Sequence, residues 1–278
     1  MKIKFWGCRG SIPVPDERMM QYGGDTTCLE VSFKDRILVI DSGTGIRKLG
    51  EDILTRDVKD IDIFITHTHW DHIHGFPFFS PIYKKKFNIN ILGNSNSYRK
   101  IESILSKQMS VEYFPVRFLD LKANTKFIKN LNTRYKREGY KVKTIEANHS
   151  IYTLGLKLMG KNSSFVFITD NEINSKNPRT TRDEFVEFCR GVNYLIHDAQ
   201  FTEQEYKSRI GWGHSTFKQA LELAKEAQVE NLVFFHHDPN RSDKELKSLE
   251  KKFKSQSKRR DNNLNIISAA ELDVIEIS

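Results

Sequence analysis

The chain has 278 residues, 38% of them apolar and 11% aromatic, enough for a sizeable core, and its 29% charged fraction is ordinary. Its net charge of +8 leans toward an anionic substrate such as a phosphate ester or nucleic acid. Much of that charge lies in Lys244–Arg260 (KELKSLEKKFKSQSKRR), which reads as a solvated helix face and tail. The opening MKIKFWGCRG lacks a signal-peptide core, no segment approaches membrane-spanning length, and Cys8, Cys28 and Cys189 are odd in number without metal-ligand spacing, so a cytoplasmic protein is expected.

In chain order, Lys2–Trp6 alternates as a strand and stops at the punctuated loop GCRGSIPVP, where Arg9 and Ser11 are candidates for binding an anionic substrate. Leu29–Phe33 and Ile37–Ile40 form a β-hairpin around Lys34-Asp35-Arg36. The second strand runs into Asp41-Ser42-Gly43-Thr44-Gly45 and a helix over Ile46–Leu54. Asp41 could cap that helix or hold a ligand histidine in place by a hydrogen bond.

An apolar run then ends in His67-Thr68-His69-Trp70-Asp71-His72, three histidines and an aspartate in six positions. Imidazole and carboxylate are the ligands that zinc and neighbouring divalent metals take. On an extended strand His67 and His69 share a face and could grip one ion, while Asp71 and His72, past the turn, face a second. His74 reads as a packed residue or a support for a ligand. Phe78–Tyr140 parses into a strand at Asn88–Leu92, a helix near Tyr98–Met109 and short strands, and its basic loop Lys84–Lys86 is a place for phosphate contacts.

Further on, strands repeat one design. Val142–Asn148 ends at His149, a third ligand for the first metal. Ser164–Thr169 ends at Asp170, a carboxylate able to bridge two ions. Asn193–His197 and Asn231–Phe235 run into IHDAQF and FFHHDP, so five strand ends carry metal-type residues. His214 sits on a loop loosened by Gly211 and Gly213, before an amphipathic helix over Thr216–Gln228 with a Thr216/Gln219 capping box. Helices are expected at Arg182–Arg190 and Ser242–Ser257, and a last strand at Leu272–Ile277.

HTHWDH resembles the H-x-H-x-D-H signature of the metallo-β-lactamase superfamily, and the order His67, His69, Asp71, His72, His149, Asp170 and a late histidine is similar to its motifs. The resemblance implies an α+β, αββα four-layer sandwich with two mixed sheets face to face, formed as one domain over 1–278. It implies two divalent ions, zinc with manganese or iron as alternatives, held by His67, His69, Asp71, His72, His149, Asp170 and His236, with His237 the alternative late ligand. The stretch from GHST to FFHHDP looks like the tRNase Z branch, and IHDAQF resembles its HEAT motif with Asp198 for glutamate and Gln200 for threonine. Asp198 and His214 thereby inherit catalytic roles beside Asp71. Asp170 follows His149 by only 21 positions, leaving no room for that branch's tRNA-clamping arm. The chain is therefore expected to be a phosphodiesterase that hydrolyses 3′,5′-cyclic AMP or GMP, or a similar small anionic diester. The alternatives are RNA 3′ processing and a non-catalytic metal-bound nucleotide sensor. No membrane partner is expected, and monomer and homodimer stay open.

Overall fold

The computed structural model describes residues 1–93, 98–128, 140–258 and 264–277, so Arg259 and Arg260 of the basic run lie outside the described residues. The strands are β1 (Lys2–Gly7), β2 (Cys28–Ser32), β3 (Arg36–Ile40), β4 (Asp60–Phe64), β5 (Asn88–Leu92), β6 (Asn124–Ile128), β7 (Lys141–Glu146), β8 (Leu154–Met159), β9 (Ser164–Ile168), β10 (Tyr194–Asp198), β11 (Asn231–Phe235), β12 (Asn265–Ser268) and β13 (Val274–Glu276). Among the described residues they form a seven-stranded sheet ordered β13-β1-β2-β3-β4-β5-β6 and a six-stranded sheet ordered β12-β11-β10-β9-β8-β7. Each sheet opens antiparallel and continues parallel: β3 to β6 in the first and β9 to β12 in the second.

Strand alternation explains the four layers. Leu38 and Ile40 of β3 point into one buried cluster with Phe165 and Phe167 of β9. Their neighbours Ile37 and Val39 pack instead against Leu49 and Ile53 of the helix Ile46–Leu54. Val166 and Ile168 likewise join Phe217 and Leu221 of the helix Phe217–Glu226. Strands buried on both faces read as near-continuous apolar runs, and two such sheets leave helices on the outside. The architecture is the αββα sandwich. Among the described residues no helix is long and apolar enough to cross a membrane.

Most expected elements form, including the Thr216/Gln219 capping box, in which Gln219 N–H donates to Thr216 Oγ1 at 3.1 Å and Thr216 N–H to Gln219 Oε1 at 2.9 Å. Two strands escape the sequence reading, β8 (LGLKLM) and β12 (NIIS). The first carries a glycine, and the second is four residues long at a sheet edge, so neither shows a run of periodicity to read. The strand before HTHWDH is also shorter than expected. It ends at Phe64, so His67 and His69 lie in a loop, and shared strand face is not what brings them together.

Candidate metal centre

Side chains gather where parallel strands end. The chain leaves β3, β9 and β11 through Asp41, Asp170 and His236, all with left-handed backbone (φ 61°, 50° and 58°). Such a conformation costs a non-glycine residue about 1–3 kcal/mol and persists only where surrounding contacts hold it. His69 caps a short helix, Trp70–Ile73, that carries Asp71 and His72.

Among the described residues two groups of donor atoms share Asp170, and a third, of Asp198, His214 and His236, adjoins the second. In the first, His69 Nδ1 lies 3.1 Å from His67 Nε2 and 3.0 Å from His149 Nε2, and Asp170 Oδ2 lies 3.6 and 3.7 Å from those two nitrogens. In the second, His72 Nε2 is 3.3 Å from Asp71 Oδ2 and 3.1 Å from Asp170 Oδ1, and His236 Nε2 is 3.2 Å from each of the same oxygens. Four ligands at about 2.0–2.1 Å around a tetrahedral cation stand roughly 3.3 Å apart, close to these separations. Asp170 turns one oxygen to each group.

Contacts further out set which nitrogen faces inward. His72 Nδ1 donates to Asp41 Oδ2 (2.8 Å), His149 Nδ1 to the Gly213 carbonyl (3.1 Å), and His236 Nδ1 to Gln200 Oε1 (3.2 Å). Thr66 Oγ1 donates to Asp41 Oδ2 (2.8 Å), which leaves it to accept from His67 Nδ1 (3.1 Å). The Nε2 lone pairs of His67 and His149 therefore crowd His69 Nδ1, which has one proton at most to offer them. His72 Nε2 is buried between the oxygens of Asp71 and Asp170 and makes a well-aligned hydrogen bond to neither. Facing lone pairs and an orphaned buried nitrogen are what a cation relieves, so the donor set fits two divalent ions.

The protonation pattern agrees. Burial pushes His67 well below the ordinary histidine range, lowers His69, and takes His149 down to about 4. Burial alone would raise the carboxyls of Asp71 and Asp170, yet the imidazoles around them, His72 chief for Asp71 and His236 for Asp170, hold both well below the usual range. His72 goes the other way: burial opposes its charge, and Asp71, Asp170 and Asp41 together hold a proton on it, a positive charge that a cation would replace.

Beside the second group, His214 stacks on His236 (centroids 5.0 Å apart, planes at 16°) and places Nδ1 2.6 Å from Asp198 Oδ2. Asp198 Oδ1 accepts from the backbone of Gln200 (3.1 Å) and Ser215 (3.3 Å), which fixes the carboxylate. Burial opposes the imidazolium, but Asp198 outweighs it and pushes His214 up to about 9. The loop carrying His214 is anchored by Glu172, whose carboxylate accepts from Tyr206 Oη (2.6 Å), Gly211 N–H (2.9 Å) and Gly213 N–H (3.1 Å). A Cβ on Gly213 would stand 2.2 Å from His149 Nδ1, and one on Gly10 would stand 2.4 Å from the His236 ring, so both histidines need a glycine beside them. The loop is thus tied down, against the mobility expected of its glycines.

The remaining candidates fall in different places. Arg9 is fully buried and gives its guanidinium to the carbonyls of Gly23 (2.8 Å), Asp238 (3.1 Å) and Arg241 (2.6 Å); it braces loops and offers no face to substrate. Ser11 is exposed, and its backbone N–H donates to Asp71 Oδ2 at 2.7 Å. His237 donates from Nε2 to the Ala269 carbonyl (2.9 Å) and stays out of both donor groups, so His236 is the late histidine in the cluster. His74 is exposed and meets Trp70 edge to face, so it is not packed in the interior. Lys84–Lys86 precede Asn88 at the start of β5, whereas the donor groups follow the ends of strands parallel to it, so this basic loop lies at the opposite sheet edge. The sequence reading missed Thr66 and Glu172, which stand outside the donor groups and outside any motif it used.

This fold and donor set define a metal-dependent hydrolase. A family model described as "Beta-lactamase superfamily domain" matches residues 36–237, and the chain belongs to that family, with the metallo-β-lactamase fold. Among curated relatives it is similar to Ribonuclease Z of Pyrococcus horikoshii, 23% identical over 89% of this chain and 89% of that one. Among solved structures it resembles the metallo-β-lactamase fold protein YhfI of Bacillus subtilis (TM-score 0.71, 18% identity, 99% of each chain). It also resembles the short form of human tRNase Z (TM-score 0.67, 19% identity, 100% of each chain). The expected special closeness to small cyclic-nucleotide phosphodiesterases draws no support from these relatives.

Proposed function

We propose that this protein is a binuclear phosphodiesterase of the ribonuclease Z kind, cutting phosphodiester bonds in RNA. The observation that carries the reading is the Asp198–His214 pair, buried against His236 at the edge of the donor groups. His67, His69 and His149 would hold one ion, Asp71, His72 and His236 the other, and Asp170 both; zinc suits the nitrogen-rich donor set, with manganese or iron as alternatives. When bound, such a pair supplies charge neutralisation at the phosphoryl oxygens and a nucleophile at neutral pH.

The chain's own residues do the rest. Asp198 keeps the Nδ1 proton of His214 in place and stabilises the imidazolium, so Nε2 is the atom that gives its proton to the leaving oxygen. Ser11 N–H donates to Asp71 Oδ2 and holds its carboxylate in one orientation. The first and last strands pair, Lys2 opposite Glu276, which supports one hydrolase domain over 1–278.

Hydrolysis of a cyclic nucleotide is the second reading. It is favoured by the short path from His149 to Asp170, which the β8–β9 hairpin fills, leaving no room there for an arm to clamp a tRNA. The deciding experiment gives metal-loaded protein a precursor tRNA with a 3′ trailer and, separately, 3′,5′-cyclic AMP and GMP. Trailer cleavage with a steep salt dependence is expected. Efficient turnover of a cyclic nucleotide with an intact trailer would replace the first reading by the second.

A further inference from the structure

A hollow of about 380 Å³ adjoins the donor groups and plays no part in the chemistry above. Thr68 and Trp70, which alternate in sequence with His67, His69 and Asp71, line it with Phe78, Lys107, Gln108 and Tyr113. Trp70 is 68% exposed, Tyr113 69% and Phe78 51%. Scattered exposed rings need no explanation, but three around one hollow beside a reactive centre form a surface that a ligand covers. Among the described residues the only ring contact of Trp70 is with His74, at 84°, so no ring stacks parallel to the indole. Gln108 donates from Nε2 to the Ile73 carbonyl (3.0 Å), which fixes this wall of the hollow against the short helix that carries Trp70.

We propose that this hollow is a nucleobase subsite, in which an unpaired base of the substrate stacks on Trp70 and Tyr113, with Lys107 beside its sugar–phosphate. The inference rests on the phosphodiesterase reading and adds a substrate requirement to it. A flat heteroaromatic ring can lie face to face with an exposed indole or phenol, and Lys107 gives the hollow a cation for the attached phosphate that an acyl chain lacks. The volume lies at the low end for ligand pockets, room for one nucleoside and not for a duplex. A base in a helix keeps its faces against its neighbours, so the nucleotide beside the scissile bond must be single-stranded.

Two measurements test this on the metal-loaded protein. The first is hydrolysis of the p-nitrophenyl ester of thymidine 5′-monophosphate against methyl p-nitrophenyl phosphate, which share a leaving group and differ by the nucleoside. Stacking is worth about 1–3 kcal/mol per base, so the ratio of the two kcat/KM values should fall by roughly tenfold in Trp70→Ala and severalfold in Tyr113→Ala. Trp70→Phe, which keeps a ring, should restore most of it. The second is tryptophan fluorescence: adenosine 5′-monophosphate should quench it and ribose 5-phosphate should not, and Trp70→Phe should abolish the quench. An unchanged ratio in both alanine variants, or equal quenching by the two phosphates, overturns the subsite and leaves the phosphodiesterase standing. If neither ester is hydrolysed the phosphodiesterase reading fails, and the quench alone then decides whether the hollow takes a base.

Discussion

His149 and His214 lie with ring centroids 5.3 Å apart, both side chains nearly out of water, and they are held in opposite charge states. Burial pushes His149 down to about 4, and the nearby Asp170 does not reverse it. Burial opposes the charge of His214 as well, yet that residue is pushed up to about 9. The difference is what each Nδ1 touches: a backbone carbonyl, Gly213, for the first, and a carboxylate, Asp198, for the second. A carbonyl fixes a tautomer without charging the ring, which suits a ligand. A buried carboxylate stabilises the imidazolium, which suits a proton donor. Residue type and depth are shared, and the partner divides binding from acid chemistry.

Removing an inward-facing imidazole should give the largest effect. His67→Ala takes away a donor from the first group and leaves Asp170 unbalanced against its remaining neighbours. Metal content by elemental analysis should fall together with diester hydrolysis, the latter by on the order of 10⁴-fold, as expected when Lewis-acid stabilisation of several kcal/mol is lost. Full activity in a chelated, metal-free sample would end the binuclear reading.

His214→Ala should separate the two regions. Both ions stay, while kcat falls on the order of 10²–10⁴-fold, the usual contribution of a placed general acid. The loss should shrink for a p-nitrophenolate leaving group, which needs no proton. An equal loss on both kinds of ester would assign His214 to phosphate binding instead.

The ligand side was far more legible in the sequence than the acid side. HTHWDH packs four donor-type residues into one hexapeptide, so local density betrayed it, and His149, Asp170 and His236 stood at ends of recognisable strands, alternating before His149 and apolar before the other two. The face-sharing argument for His67 and His69 failed because the strand stops at Phe64 and the chain closes on itself in a loop. Arg9 read as an anion site because a cation beside glycines has that chemistry; its burial depends on carbonyls 14, 229 and 232 residues away, which no window reveals. Thr66 and Glu172 act through hydrogen bonds to backbone and neighbouring side chains, and a threonine or glutamate does that at many positions in any chain.

Stability against pH sharpens the contrast next. His214 is raised in the folded chain to about 9, from about 6.5 in an unfolded one. Its imidazolium therefore stabilises the fold in full below about pH 6.5, and this contribution, on the order of 3 kcal/mol, is lost as pH rises through about 9. Chelated wild-type protein and Asp198→Asn should differ in urea midpoint by more at pH 6 than at pH 9.5. A difference independent of pH would remove the charged pair from the account.

Asp41→Asn is the smallest perturbation and the most informative about how the ligand side is built. Asp41 holds three donors at once: Thr66 N–H on Oδ1 (2.7 Å), and Thr66 Oγ1 and His72 Nδ1 on Oδ2, each at 2.8 Å. Asparagine keeps the size and can still accept from Thr66 N–H, but its amide nitrogen then faces His72 Nδ1, donor against donor. The conflict is relieved when His72 moves its proton to Nε2, the nitrogen that faces Asp71 and Asp170, and a protonated Nε2 cannot bind an ion. Such an outer hydrogen bond is worth about 10–100-fold in metal affinity, so the second group should empty at chelator concentrations that the wild type withstands. The first group should weaken less, because His67 feels Asp41 only through Thr66 Oγ1. Metal stoichiometry during chelator titration should thus step through one ion per chain in the variant. Loss of both ions together would mean that Asp170 couples the groups more strongly than Asp41 distinguishes them.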